Sequence, residues 1–171
     1  MLTPKQRNWL SHLSDTDKII IKPFDPTTHE KFEKVKQKIQ DFFGYKIKVE
    51  HHGATSMGIS GQDEIDIYIP VVPSDFNNLI KPLTELFGSP KSLYTLERAK
   101  FVTTEDGKHI DVFLINKESA GWKDCVRFEK YLKTHPKMLS KYKKLKEQGN
   151  GVGVREYYTT KINFINEILT R

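Results

Sequence analysis

The stretch "AKFVTTEDGKHIDVFLIN", residues 99–116, constrains this chain more than any other. Two runs rich in β-branched and aromatic residues flank Asp106-Gly107. That pair tolerates positive φ and suits a two-residue hairpin turn. An antiparallel ribbon is therefore expected past the middle of the chain. On its second strand His109, Asp111 and Phe113 share one face, and Ile110, Val112 and Leu114 share the other. Such a strand lays its aliphatic face on a core and leaves an acid on the opposite face.

A second alternating run lies upstream. Ile65, Ile67 and Ile69 point one way, and Glu64 and Asp66 stand together on the other face. Neighbouring carboxylates on one face disfavour joint ionisation. Gly53 and Gly58 flank small hydroxyl residues just before this strand. If the two strands are neighbours, Glu64, Asp66 and Asp111 converge, and a cation is needed to neutralise them. Hard oxygen donors suit Mg²⁺ or Mn²⁺, which also bind phosphate oxygens. Two such ions can hold the attacking and leaving oxygens of an in-line phosphoryl displacement. A glycine-rich turn lets backbone N–H groups approach phosphates closely.

The rest of the chain frames these strands. Thr3 and Pro4 open a short N-terminal helix. "KIIIKPF" reads as a strand ending at Pro23. Residues 25–44 form an amphipathic helix with Phe32, Val35, Ile39, Phe42 and Phe43 as its apolar stripe and Gly44 as its stop. "YKIKVEHH" reads as a strand, with Ile47 and Val49 inward. Residues 75–88 form a helix around Pro82 or two short turns. Helices follow over 118–135, from Pro136 to Gln148, and from 155 to the end, with "GNGVGV" as a break. The fold class is α+β: a mixed sheet flanked by helices and a helical C-terminal third. Residues 1–171 are expected to make a single domain, with a core at about 17–116 and a helical part at about 117–171.

Composition narrows the partners. No run approaches the ~20 apolar residues of a membrane span, and "MLTPKQRNWLSH" is no apolar signal segment. Cys125 is the one cysteine, so no internal disulfide is expected and a cytoplasmic setting is the simplest reading. Cys125 falls in a helical stretch and reads as a packing residue. The net charge of +6 favours an anionic partner. Residues 130–146 are lysine-rich without an acid, which points to an anion and, through these basic helices, to RNA as a candidate partner. His51 and His52 have no cysteine or third histidine at ligand spacing, so zinc is not expected.

Gly53-Ala54-Thr55-Ser56-Met57-Gly58 followed by Glu64-Ile65-Asp66-Ile67 resembles the signature of the polymerase-β-like nucleotidyltransferases, with Asp111 in "HIDVFLI" as the third carboxylate. More narrowly, "IIIKPFDPT", "HHGATS", "IDI", "HIDVFLIN", "YLKTHP", "YKKLK" and "YYTTKINFI" resemble the GrpB family. The resemblance has departures. Ala54 stands where the family has serine, Met57-Gly58 shortens a Val-Pro-Gly, and Gln62 replaces a lysine. Phe128-Glu129-Lys130 stands for Phe-Arg-Asp, with the charge order swapped. Glu64 and Asp111 complete an acidic triad that many relatives lack.

The resemblance implies a nucleotidyltransferase-like fold and a metal-dependent transfer of a nucleoside monophosphate from a triphosphate, most simply ATP. Glu64, Asp66 and Asp111 would be catalytic and hold the metal. Gly53, Ala54, Thr55, Ser56 and Gly58 would form the nucleotide loop, and His51 would brace it. Tyr158 and Lys161 match a family Tyr-x-x-Lys, and Lys161, with Arg155 beside it, would neutralise the triphosphate. The acceptor hydroxyl could belong to a small molecule, a protein or an RNA end. The alternative is a nucleotide- or RNA-binding module of the same fold without catalysis.

Overall fold

The structure is a computed structural model and describes residues 1–44 and 47–170. Helix α1 (Pro4–Ser11) opens on a capping box: Thr3 Oγ1 accepts from the Gln6 N–H while the Gln6 side chain accepts from the Thr3 N–H. Helix α2 (Thr28–Phe43) stops at Gly44, whose φ of 63° is left-handed. It buries Phe32, Val35 and Ile39, as its spacing predicts; Phe42 instead lies exposed. The segment "KIIIKPF" is not a strand of the sheet. It runs extended between two loops, bridging at Lys18 to Gly153 and at Lys22 to Gly61. Pro23 has no N–H to give a ladder, so the segment pins the loops that flank it.

The remaining elements, in chain order, are β1 (Glu50–His52), α3 (Gly53–Ser56), β2 (Glu64–Val71), α4 (Pro73–Phe87), β3 (Ser92–Tyr94), β4 (Arg98–Glu105), β5 (Lys108–Asn116), α5 (Ala120–Thr134), α6 (Pro136–Gln148) and α7 (Val154–Leu169). Of the strand expected over 45–52, Tyr45 and Lys46 lie outside the described residues, and among the described ones Glu50–His52 form the strand. Helix α4 runs continuously through Pro82. The short edge strand β3 has no counterpart in the sequence reading.

The sheet order is β1-β2-β5-β4-β3. Strands β2 and β5 are parallel, and the other pairs are antiparallel. The β4–β5 hairpin turns at Asp106 (φ 48°) and Gly107 (φ 73°), the positive values that such a turn requires. One sheet face carries Ile65, Ile67, Ile69, Ile110, Val112 and Leu114, all fully buried against α2 and α4. Each such side chain contributes roughly 1.5–3 kcal/mol of burial. A second cluster, centred on Ile59, Phe128, Leu132, Tyr142 and Ile168, holds the C-terminal helices together. No helix among the described residues is long and apolar enough to cross a membrane.

Candidate active site

The acids fall on the face of the sheet opposite that core. Parallel register sets Asp66 against Asp111 and Glu64 against His109, so all four side chains share one face. Burial, with Asp111 nearby, pushes the Glu64 carboxyl up. Asp66 is raised to about 7, first by burial and then by Glu64 and Asp111. The ligand atoms of Glu64, His109 and Asp111 lie within 4.8 Å of one another. The expected convergence of three carboxylates is thus modified. His109 joins Glu64 and Asp111, while Asp66 faces the loop. The cause is the β1–β2 register: Asp66 lies opposite His52, and the chain turns at the next residue, Gly53, over the Asp66 carboxylate.

That turn requires glycine. Gly53 has φ 77°, and a Cβ there would lie 2.1 Å from Asp66 Oδ2. Residues Gly53–Ser56 form one helical turn, and Gly58 (φ 67°) closes the loop. The hydroxyls serve the loop itself. Ser56 donates to the Gly53 carbonyl at 2.9 Å, and Thr55 Oγ1 lies 2.9 Å from His51 Nε2. His51 therefore braces the loop as expected, stacked on Phe32 at 4.9 Å. Its pKa falls to about 4, chiefly through burial. Ala54 does not face the acids. It packs toward the Ile59 cluster and Gly61.

The sequence reading assigned no role at the site to three charged groups. Lys100 places Nζ 2.6 Å from Asp111 Oδ2, while His109 Nε2 lies 2.9 Å from Asp111 Oδ1. The Glu129 carboxylate accepts the Gly53 N–H at 2.6 Å. Lys146 is 5% exposed, and burial, then Lys161, pulls its pKa down to about 7. A signal for Lys146 existed: it lies four residues after Tyr142 on the apolar side of α6, unlike the exposed lysines around it. Register brings in Lys100, and only tertiary docking of α5 brings in Glu129.

Lys161 lies near Asp66, and its Nζ sits 5.3 Å from the centre of the Tyr158 ring. Burial disfavours its charge, but Tyr142, Tyr158, Tyr157 and Asp66 outweigh that and raise its pKa. Tyr158 donates to Gln62 Oε1 at 3.2 Å. Arg155 belongs elsewhere, and its expected place beside the nucleotide is corrected. It donates to the carbonyls of Leu10, Ser11 and Leu13 and pairs with Asp15 at 2.6 Å. Its position one turn before Tyr158 aims it at the N-terminal segment.

A cavity of about 350 Å³ opens between this sheet face and the C-terminal helices. Asp66, Gly53 and Tyr68 line one wall, and Phe128, Tyr142 and Lys161 the other. An anion in it would meet a cationic lysine beside a carboxylate.

The GrpB protein family matches residues 18–171. The chain is similar to the crystal structure of the conserved protein GrpB from Enterococcus faecalis, with a TM-score of 0.68 and 19% identity over 88% of this chain and 98% of that one. That likeness is one of fold. No curated protein matches the chain.

Proposed function

The chain belongs to the GrpB family, and from that premise we propose that it moves a nucleoside monophosphate from a triphosphate, most simply ATP, to an acceptor hydroxyl. The observation that carries this reading is the Asp66–Asp111 register on adjacent parallel strands, beneath a glycine turn. The residues suit a hard cation. Glu64 and Asp111 offer carboxylate oxygens, and the raised Glu64 and Asp66 carboxyls mark an acidic site short of positive charge. His109 serves better as the bond that orients Asp111. Mg²⁺ or Mn²⁺, held by Glu64 and Asp111 with Asp66 behind them, would supply charge neutralisation for the phosphates.

The chain's own groups supply positioning. Lys161 reaches the cavity where the triphosphate would lie and offsets its charge. The acceptor hydroxyl attacks the α-phosphorus, the new O–P bond forms, and the α–β bridging P–O bond breaks. Pyrophosphate leaves with that electron pair, and the hydroxyl proton passes toward the Asp111–His109 pair.

Two observations favour the second reading, a binding module without catalysis. Both Asp111 oxygens already have partners, and Glu129 holds the Gly53 N–H that a phosphate would use. The exposed lysines of α6 then offer an RNA-facing surface. Pyrophosphate release from ATP with candidate acceptors, with and without Mg²⁺, separates the two. Mg²⁺-dependent release lost in Asp111→Asn supports transfer, and nucleotide binding without release supports the module.

A further inference from the structure

We propose that His52, Cys125 and Glu129 form a second metal site, for Zn²⁺ or an ion of similar softness, which clamps α5 to the edge of the sheet. His52 ends β1, and Cys125 and Glu129 stand four residues apart on α5, so they project from one side of that helix. Their three ligand atoms lie within 4.8 Å of one another. Bonds of roughly 2.0–2.3 Å at tetrahedral angles place ligand atoms about 3.5 Å apart, so small side-chain shifts close the site.

A second observation points to a ligand. His52 Nδ1 and Glu129 Oε2 are buried without a hydrogen-bond partner, in side chains whose residues are 7% and 5% exposed. They face each other at 2.9 Å, an ion pair when His52 is protonated, but without the alignment of a hydrogen bond. Lys133 reaches Glu129 Oε2 only at 3.6 Å, too far for one. Burying such groups without a hydrogen bond is costly, and an ion taking the place of the imidazole proton satisfies both.

The atoms behind the ligands are already anchored. His52 Nε2 lies 2.9 Å from Glu50 Oε2, and Glu50 is itself paired with Lys48. A carboxylate behind a ligating imidazole fixes the ring and raises its donor strength. Glu129 Oε1 is held by the Gly53 N–H. Tyr68 and Trp122 pack against the His52 ring at 5.1 and 5.0 Å. The imidazole, thiolate and carboxylate set favours Zn²⁺ over Mg²⁺. Three protein ligands leave a fourth position, and all three residues line the cavity that Asp66 and Lys161 also line. A water or substrate atom there would complete the coordination.

Cobalt titration of the full chain tests this directly, because Cys125 is the one cysteine and a thiolate-to-cobalt charge-transfer band reports that sulfur alone. The expected result is such a band, saturating at one equivalent of Co²⁺ and bleached by one of Zn²⁺. Cys125→Ser should abolish the band while keeping the native circular dichroism. Glu64→Gln, in the other acidic group, should keep it. Glu50→Gln should keep the band and weaken affinity roughly ten- to a hundredfold, as loss of such a supporting carboxylate does. Cobalt binding without the band would overturn the proposal. So would a thiol alkylation rate that Zn²⁺ leaves unchanged.

Discussion

Two glycines with the same backbone hand separate conformational strain from steric contact. Gly44 and Gly53 both sit at positive φ, 63° and 77°. A Cβ at Gly44 meets nothing within 4 Å, whereas one at Gly53 strikes the Asp66 carboxylate. Gly44→Ala should cost about 1–2 kcal/mol for the left-handed conformation alone. Gly53→Ala should cost at least twice that and displace Asp66. Urea denaturation of the two variants reads the difference, and equal losses would contradict the contact. Asp66 also sets a pH signature. Its pKa rises on folding from 3.8 to about 7, so the folded chain holds that proton more tightly than the unfolded chain. Stability from this group is fully present below about pH 4 and is lost as pH rises to about 7. Asp66→Asn removes the titration. Its melting temperature should exceed that of the parent at pH 8 and converge on it near pH 4. A constant offset across that window would rule out the raised Asp66 carboxyl.

At the level of elements, Arg155 ties α7 to the N-terminal segment. Its guanidinium caps three carbonyls at the end of α1 and just beyond, and pairs with Asp15. Arg155→Ala should cost about 1–3 kcal/mol and speed amide exchange in α1, while nucleotide affinity stays within twofold; a large loss of affinity would return Arg155 to the site. Elements with local signals were legible in the sequence: the Thr3 cap, the Gly44 stop, the Asp106-Gly107 hairpin and the prolines that open α1 and α6. So were the alternating strands, and with them the face of Glu64, Asp66 and Asp111. What depended on tertiary pairing was not legible. "KIIIKPF" has the composition of a strand, yet its partners are loops. Lys100 becomes the partner of Asp111 only once β4 and β5 are in register. The Glu129 exchange was visible as a departure from the family pattern. Its consequence was not, because Gly53 and Glu129 lie 76 residues apart.

For the whole molecule, the sheet divides the labour. One face is an aliphatic core under α2 and α4, and the other carries the three acids, of which Asp66 lines a cavity roofed by α5, α6 and α7. Lysine charge reaches that cavity from the roof through Lys161 and meets the Asp66 carboxyl on the floor, with Lys146 buried nearby. On the proposed function, a triphosphate would bind there with its divalent cation, the cation balancing the acids of the floor and the phosphates the lysine of the roof. The bare nucleotide would add negative charge beside Glu64 and Asp66 and should bind at least tenfold more weakly, which corresponds to about 1.4 kcal/mol or more. Calorimetry with a non-hydrolysable ATP analogue, with and without Mg²⁺, measures this in the parent chain and in Glu64→Gln. The account predicts tighter binding with Mg²⁺ in the parent and little dependence on the metal in the variant. Equal affinity with and without Mg²⁺ in the parent chain would contradict it.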